Sequence, residues 1–334
     1  MKPSSRKTVR CRGETETVLE TFRVRGRTYF AVQKLGGRGA FRVFDPHAGP
    51  GGDYRILYRF PRKKVTRQKL ETLKRIGGAD RNRNFPAVVD FANQGSESFI
   101  VIEWIDGTNL GTYLDAVRGG KTPRPSVSEV IRLVRGLVHG VSHYHRRSNV
   151  IHGDISPANI LLTHKGKQLL LVDFGSAWPI ESTATKSVGD GVTQPYAAPE
   201  RLSGHAAEDF RSDMFSLSVV AYEMLTLEIP YGRLGGRAGL PKFVAKGKKS
   251  FRNPTDMIDK SRPIPMQSLK LLDACIERGL SLESAERFPT SQAWLAAWDE
   301  LHLALKKGSR LSPLEGWFVR GIESIVDLLS GKKT

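Results

Sequence analysis

The sequence predicts an α+β fold, with a small strand-rich first part and a larger, mainly helical remainder. Strand-forming runs gather early, at Thr17–Arg25, Thr28–Leu35, Tyr54–Phe60 and Phe99–Trp104. Helical spacing of apolar residues follows at Ser128–Arg146, Met214–Leu227 and Ser268–Arg278. The length of 334 residues and a hydrophobic fraction of 39% suit one large two-lobed domain or two modest ones with a real core. The first two strands join at Gly26. Gly49, Pro50, Gly51 and Gly52 make a loose turn into Tyr54–Phe60, and Phe99–Trp104 ends in a turn at Asp106 and Gly107 before a helix start.

The chemistry concentrates further on. His152-Gly153-Asp154-Ile155-Ser156-Pro157-Ala158-Asn159 is followed by the apolar runs Ile160–Leu162 and Leu169–Val172, turned at Lys165-Gly166-Lys167, and then by Asp173-Phe174-Gly175. This reads as strand, turn, strand and then a carboxylate. Asp154 is suited to accept a proton from an attacking hydroxyl. The Asn159 amide and the Asp173 carboxylate are hard oxygen donors suited to Mg2+ on ATP phosphates. A base bound to metal loses basicity, so the two roles need different residues. An isolated Asp-Phe-Gly is only a turn after a strand; the flanking strands lift this one above that reading.

These residues resemble the eukaryotic-type protein kinase family over roughly residues 29–300. His152–Asn159 is similar to its catalytic loop, Asp173–Gly175 to its metal-binding tripeptide and Ala198-Pro199-Glu200 to the end of its activation segment. Ser212–Leu217 resembles a family helix start, and Glu286-Arg287-Phe288-Pro289 its late Arg segment. The resemblance implies a bilobal kinase fold: a basic extension at 1–28, a β-rich small lobe at 29–105, a helical large lobe at 106–300 and a helical extension at 301–334. It implies Asp154 as base, Asn159 and Asp173 as magnesium ligands, and a scaffold role for His152. Gly37 and Gly39 take the first two places of the glycine-rich loop that approaches phosphates, the backbone of Glu103 and Ile105 holds the adenine edge, and Ile102 is the gatekeeper. Glu200 is expected to pair with Arg287, and Thr193 to lie near Asp154.

The chain also departs from the family. Tyr58 falls where the phosphate-anchoring Lys belongs, and Lys69 where its Glu partner belongs, with Glu71 available if the register slips. Arg42 replaces the third glycine, as a basic residue does in the With-No-Lysine kinases, and is the candidate for the missing charge. Gly153 stands in place of the loop Arg and Ser156 in place of a Lys near the transferred phosphate. An ATP- and Mg2+-dependent Ser/Thr protein kinase is therefore expected. A scaffold with decayed nucleotide binding is the rival, and a small-molecule phosphotransferase, suggested by His-Gly-Asp, is another.

Net charge is +18, from 52 Lys and Arg against 34 Asp and Glu, which favours anionic partners such as acidic protein substrates. Aromatics are not interleaved with the basic residues, so nucleic acid is not the expected partner. No apolar run reaches membrane-spanning length, and Met1–Arg12 is basic with no apolar segment behind it, so a cytoplasmic protein is expected. The lone, distant Cys11 and Cys275 fit a reducing compartment. Arg233–Arg262, rich in Gly, Lys and Pro, reads as a basic excursion. Leu314, Phe318, Ile322, Ile325 and Leu329 read as one face of a last helix. The sequence leaves the oligomeric state open.

Overall fold

The computed structural model of the chain describes residues 7–35, 39–62, 85–165, 167–173, 177–179, 192–203, 209–244, 251–258 and 264–308. The chain forms two compact units, Met1–Gly107 and Thr108–Thr334.

The first unit is all strand in its described residues. Thr8–Cys11 (β1) and Glu14–Thr17 (β2) pair as a hairpin turned at Arg12 and Gly13, whose positive φ values of 51° and 88° match the right-handed twist of the strands. Six further strands follow: Glu20–Val24 (β3), Arg27–Leu35 (β4), Ala40–Asp45 (β5), Asp53–Pro61 (β6), Val88–Gln94 (β7) and Glu97–Glu103 (β8). They form one antiparallel sheet in the order β3-β4-β5-β6-β8-β7. The sheet thus begins inside the segment read as an N-terminal extension.

Side-chain alternation gives the sheet two distinct faces. One holds Phe22, Val24, Tyr29, Ala31, Phe41, Val43, Leu57, Phe99 and Val101, a closed apolar core. The other carries Arg42, which pairs in register with Ile56, itself opposite Ile102. Tyr58 lies between Ala40 and Ile100 on this same face, and Phe44 lies opposite Tyr54. The β1-β2 hairpin packs here, where Cys11, Val32, Phe44 and Tyr54 bury one another with Val9, Phe30 and Trp104 at the margin.

The second unit is mainly helical. Gly107–Asn109 (β9) leads to Leu110–Arg118 (α1), whose first turn is capped by the Asn109 side chain accepting from Gly111 N. Val127–Ser148 (α2) starts at Ser126, whose hydroxyl accepts from Glu129 N, and stops at Asn149 in the left-handed region. Val150–Ile151 (β10), Ile160–Thr163 (β11), Leu169–Leu171 (β12) and Trp178–Pro179 (β13) are short. Pro199–Ser203 (α3), Phe210–Thr226 (α4), Pro241–Val244 (α5), Met266–Gly279 (α6) and Ser291–Gly308 (α7) complete the described elements. Ser212 to Thr226 of α4 are buried on every side, which makes α4 the central helix; α2 and α6 pack against it, and α7 packs on both of them. Trp294, Trp298, Leu301 and Leu305 set the inner stripe of α7 at helical spacing.

The expected basic excursion is partly a packed segment. Residues 235–239 form a 3-10 turn, and a Cβ at Gly235, Gly236 or Gly239 would strike Pro195, Ala197 or Pro199. These glycines let two backbones touch, which a charge pattern does not reveal. Residues 245–250 and 259–263, and the last helix expected beyond residue 308, lie outside the described residues.

Candidate active site

The expected hairpin is present: Ile160, Leu161 and Leu162 pair with Leu171, Leu170 and Leu169. A 3-10 turn at Pro157–Asn159 feeds β11, and Val172 N donates to the Asn159 carbonyl at 2.8 Å, so the strand leading to Asp173 is tied to the turn holding Asn159.

Asp154 is held from two sides. Asn159 Nδ2 donates to its carbonyl and to its Oδ2, both at 2.8 Å, while Thr193 N donates to its Oδ1 at 2.8 Å. With the Asn159 amide nitrogen committed to Asp154, its oxygen is the atom left to face a cation. The Thr193 hydroxyl donates to Ser156 Oγ at 3.4 Å, so the place that resembles the family's Lys position is a buried hydroxyl with no charge. Asp173 sits at φ 60°, a left-handed conformation that Asp tolerates better than most residues and that is often held at functional sites.

His152 is fully buried, and burial holds its ring below the usual histidine range against the opposing pull of Asp213, Asp154 and Asp173. The neutral ring donates from Nε2 to the Val172 carbonyl (3.3 Å) and accepts at Nδ1 from Asp154 N (3.3 Å). It braces both carboxylate-bearing segments, in keeping with a scaffold role.

Beneath the loop lies Asp213 on α4, which the motif match named without a task. It accepts from His152 N (2.8 Å), Gly153 N (2.9 Å) and His145 Nε2 (2.9 Å). Burial alone would raise its pKa, but the His145 bond and charge, with His152 and Gly153, bring it below the usual carboxylate range. A charge on a helix buried all round was the available signal, since such a charge needs partners.

Glu200 and Arg287 form the expected buried pair, Nη1 to Oε1 at 2.7 Å and Nη2 to Oε2 at 2.9 Å. Ser212 Oγ also donates to Glu200, and Arg287 donates further to the Ser281 and Arg211 carbonyls. Burial pushes the Glu200 carboxyl up, yet Arg287 and Ser212 outweigh it and the net shift is downward. Both Glu200 and Asp213 therefore release protons more readily when folded. Their stability contribution is present above the ordinary carboxylate values of 4.5 and 3.8 and is lost as pH falls through the lower folded values. Urea titrations should show stability falling below about pH 6.5, where the lowered His152 and His302 begin to cost stability, and a second fall below about pH 4.5 from the carboxylates. Glu200→Gln should flatten the second fall; an unchanged slope in the variant would rule the pair out as its source.

In the first unit, Gly39 has φ 74°, and its carbonyl accepts from Arg59 N at 2.8 Å; a Cβ there would meet the Arg59 carbonyl. Gly37, Lys69 and Glu71 lie outside the described residues. Glu103 N donates to the Ala87 carbonyl at 2.9 Å, and Trp104 Nε1 to Asp106 at 2.8 Å, with Ile105 between them. Arg42 Nη2 donates to both carboxylate oxygens of Glu16, at 2.6 and 2.8 Å, and its guanidinium lies 4.8 Å from the Tyr54 ring centre. Its Nε is buried and has no hydrogen-bond partner among the described residues. Glu16 went unnoticed in the sequence, because nothing local marks an exposed-looking strand residue as the partner of an arginine 26 positions away. Cys11 and Cys275 are free and buried, and burial raises both thiols.

A strand-rich unit followed by a helical one, with its loop carboxylate, amide and second carboxylate on a short hairpin, is a protein kinase architecture. The kinase domain of Mycobacterium tuberculosis PknI shares that fold with a TM-score of 0.55, at 21% identity, covering 82% of this chain and 95% of that one. Residues 63–298 match the protein kinase domain family, and the chain belongs to it. Relatives include the serine/threonine-protein kinase pkn2 of Myxococcus xanthus, 32% identical over 84% of this chain and 31% of its own length. PknL of Mycobacterium bovis is 33% identical over 58% of this chain and 43% of its own, and PrkC of Bacillus subtilis 32% identical over 54% and 25%. The chain thus spans 25% to 43% of the length of these three relatives. No helix among the described residues is long and apolar enough to cross a membrane.

Proposed function

We propose that the chain is a Ser/Thr protein kinase that transfers the γ-phosphate of ATP with magnesium, acting on itself and on acidic protein substrates in the cytoplasm. The observation that carries this reading is the two-sided fixation of Asp154 by Asn159 and Thr193, which holds the carboxylate in place and uses the Asn159 amide nitrogen rather than its oxygen. Asp154 takes the proton of the attacking hydroxyl. Asn159 Oδ1 and Asp173 would hold the metal, whose charge offsets that of the phosphates when bound. No cluster of three acidic, His or Cys side chains suited to a metal occurs among the described residues, and two oxygen donors suit a magnesium that arrives on phosphates and keeps its waters.

In the first unit, Gly37 and Gly39 approach the phosphates with backbone N–H groups. The Glu103 carbonyl and the backbone of Ile105 meet adenine; the Glu103 N–H already belongs to Ala87. Arg42 replaces the cation that Tyr58 cannot supply, and its orphaned buried Nε suits a phosphate oxygen. In a chain that also carries Glu16→Ala, which frees Arg42 from its carboxylate partner, Arg42→Ala should raise the KM for ATP by about ten- to a hundredfold, the size of a lost charged hydrogen bond; an unchanged KM on that background removes Arg42 from the site.

Incubation with Mg2+, labelled ATP and an acidic acceptor protein should label Ser and Thr of both proteins. Asp173→Asn should abolish labelling and the magnesium dependence of nucleotide binding. Equal background in both forms would favour the scaffold reading, which the Arg42–Glu16 pair also suits.

A further inference from the structure

We propose that the β1-β2 hairpin is a built-in competitor for the sheet face that receives the nucleotide, with the Glu16 carboxylate standing in for a phosphate on Arg42. The inference rests on the assignment of that face to nucleotide in the kinase reading. The register places Arg42, Ile56 and Ile102 together, and the hairpin lies on their face: Cys11 is 2% exposed among Val32, Phe44 and Tyr54. Glu16 receives the Arg42 guanidinium on both oxygens and the Tyr54 hydroxyl at 2.7 Å, the array of donors that a phosphate oxygen would take. Arg12 at the hairpin turn binds Asp53 at 2.8 Å and also Asp106, just past Ile105. The anchors therefore run from the phosphate side, at Arg42, to the adenine side, at Asp106.

A two-stranded hairpin has little stability of its own, so it holds this position through its contacts with the sheet and can leave it as a unit. Nucleotide then binds only the fraction of molecules whose hairpin has left, and its apparent affinity falls by that fraction. Unlike a lid, the hairpin excludes the ligand.

The full-length chain and its Arg12→Ala/Glu16→Ala variant should be titrated with a nonhydrolysable ATP analogue and Mg2+ by calorimetry. Hydrogen exchange of residues 8–17 should be followed in the unsubstituted chain, with and without the analogue. The variant should bind at least about tenfold tighter, and the analogue should deprotect the hairpin amides in the unsubstituted chain. Equal affinities with undiminished protection would overturn the competition and leave the kinase reading in place. Absence of binding in both forms at millimolar analogue would overturn the kinase reading, and the competition with it.

Discussion

Asp154→Ala should lower phosphate transfer by about a hundred- to ten-thousandfold, the usual worth of a positioned general base. Affinity for magnesium-ATP should stay within about threefold, because the base acts on the acceptor hydroxyl. Steady-state transfer together with nucleotide titration separates the two. Asp154 also accepts from Asn159 and Thr193, so Asp154→Asn is the better companion variant: it keeps the shape and one acceptor while removing the charge. Equal loss in both variants with unchanged melting assigns the effect to basicity. Transfer retained in either at the level of the unsubstituted chain would remove Asp154 from the chemistry.

Arg287→Ala should cost about 3–5 kcal/mol, because it leaves the Glu200 carboxylate buried without its partner. Arg287 also donates to the Ser281 and Arg211 carbonyls and lies 4.9 Å from the Phe215 ring centre, so one deletion strips partners from several buried groups. For a unit of this size the midpoint of thermal unfolding should drop by roughly 10 °C. Arg287→Lys should recover only part of it, since a single ammonium cannot replace the two-pronged contact. A melting midpoint unmoved by Arg287→Ala would show that the pair is not what clamps α3 to α4.

The candidate site was legible where its sequence pattern is local. The hairpin from Ile160 to Leu171 declared itself by two apolar runs and a Lys-Gly-Lys turn, and Asp154, Asn159 and Asp173 by their spacing around it. Glu200 and Arg287 were found as partners 87 positions apart because both stand in recognisable motifs. Asp213 was visible as a residue and invisible as the anchor of the loop, since its importance lies in being fully buried with three donors aimed at it. The packed turn at Gly235–Gly239 looked like an open basic loop for a similar reason: composition reports solubility, whereas the close approach to Pro195 and Ala197 is a matter of backbone geometry.

Short-range order belonged to the sequence by itself: β4, β6, β8, the β11-β12 hairpin and the helix periods follow from side-chain alternation and turn chemistry over a few residues, while the family resemblance singled out the loop carboxylates and the Tyr at position 58. The tertiary structure alone decided where the charges go. Arg42 was an unattached cation until β1 and β2 folded onto the sheet and brought Glu16 to it, because pairing across the chain depends on which face each strand presents, and a single-residue slip of register would send the same side chain to the opposite side.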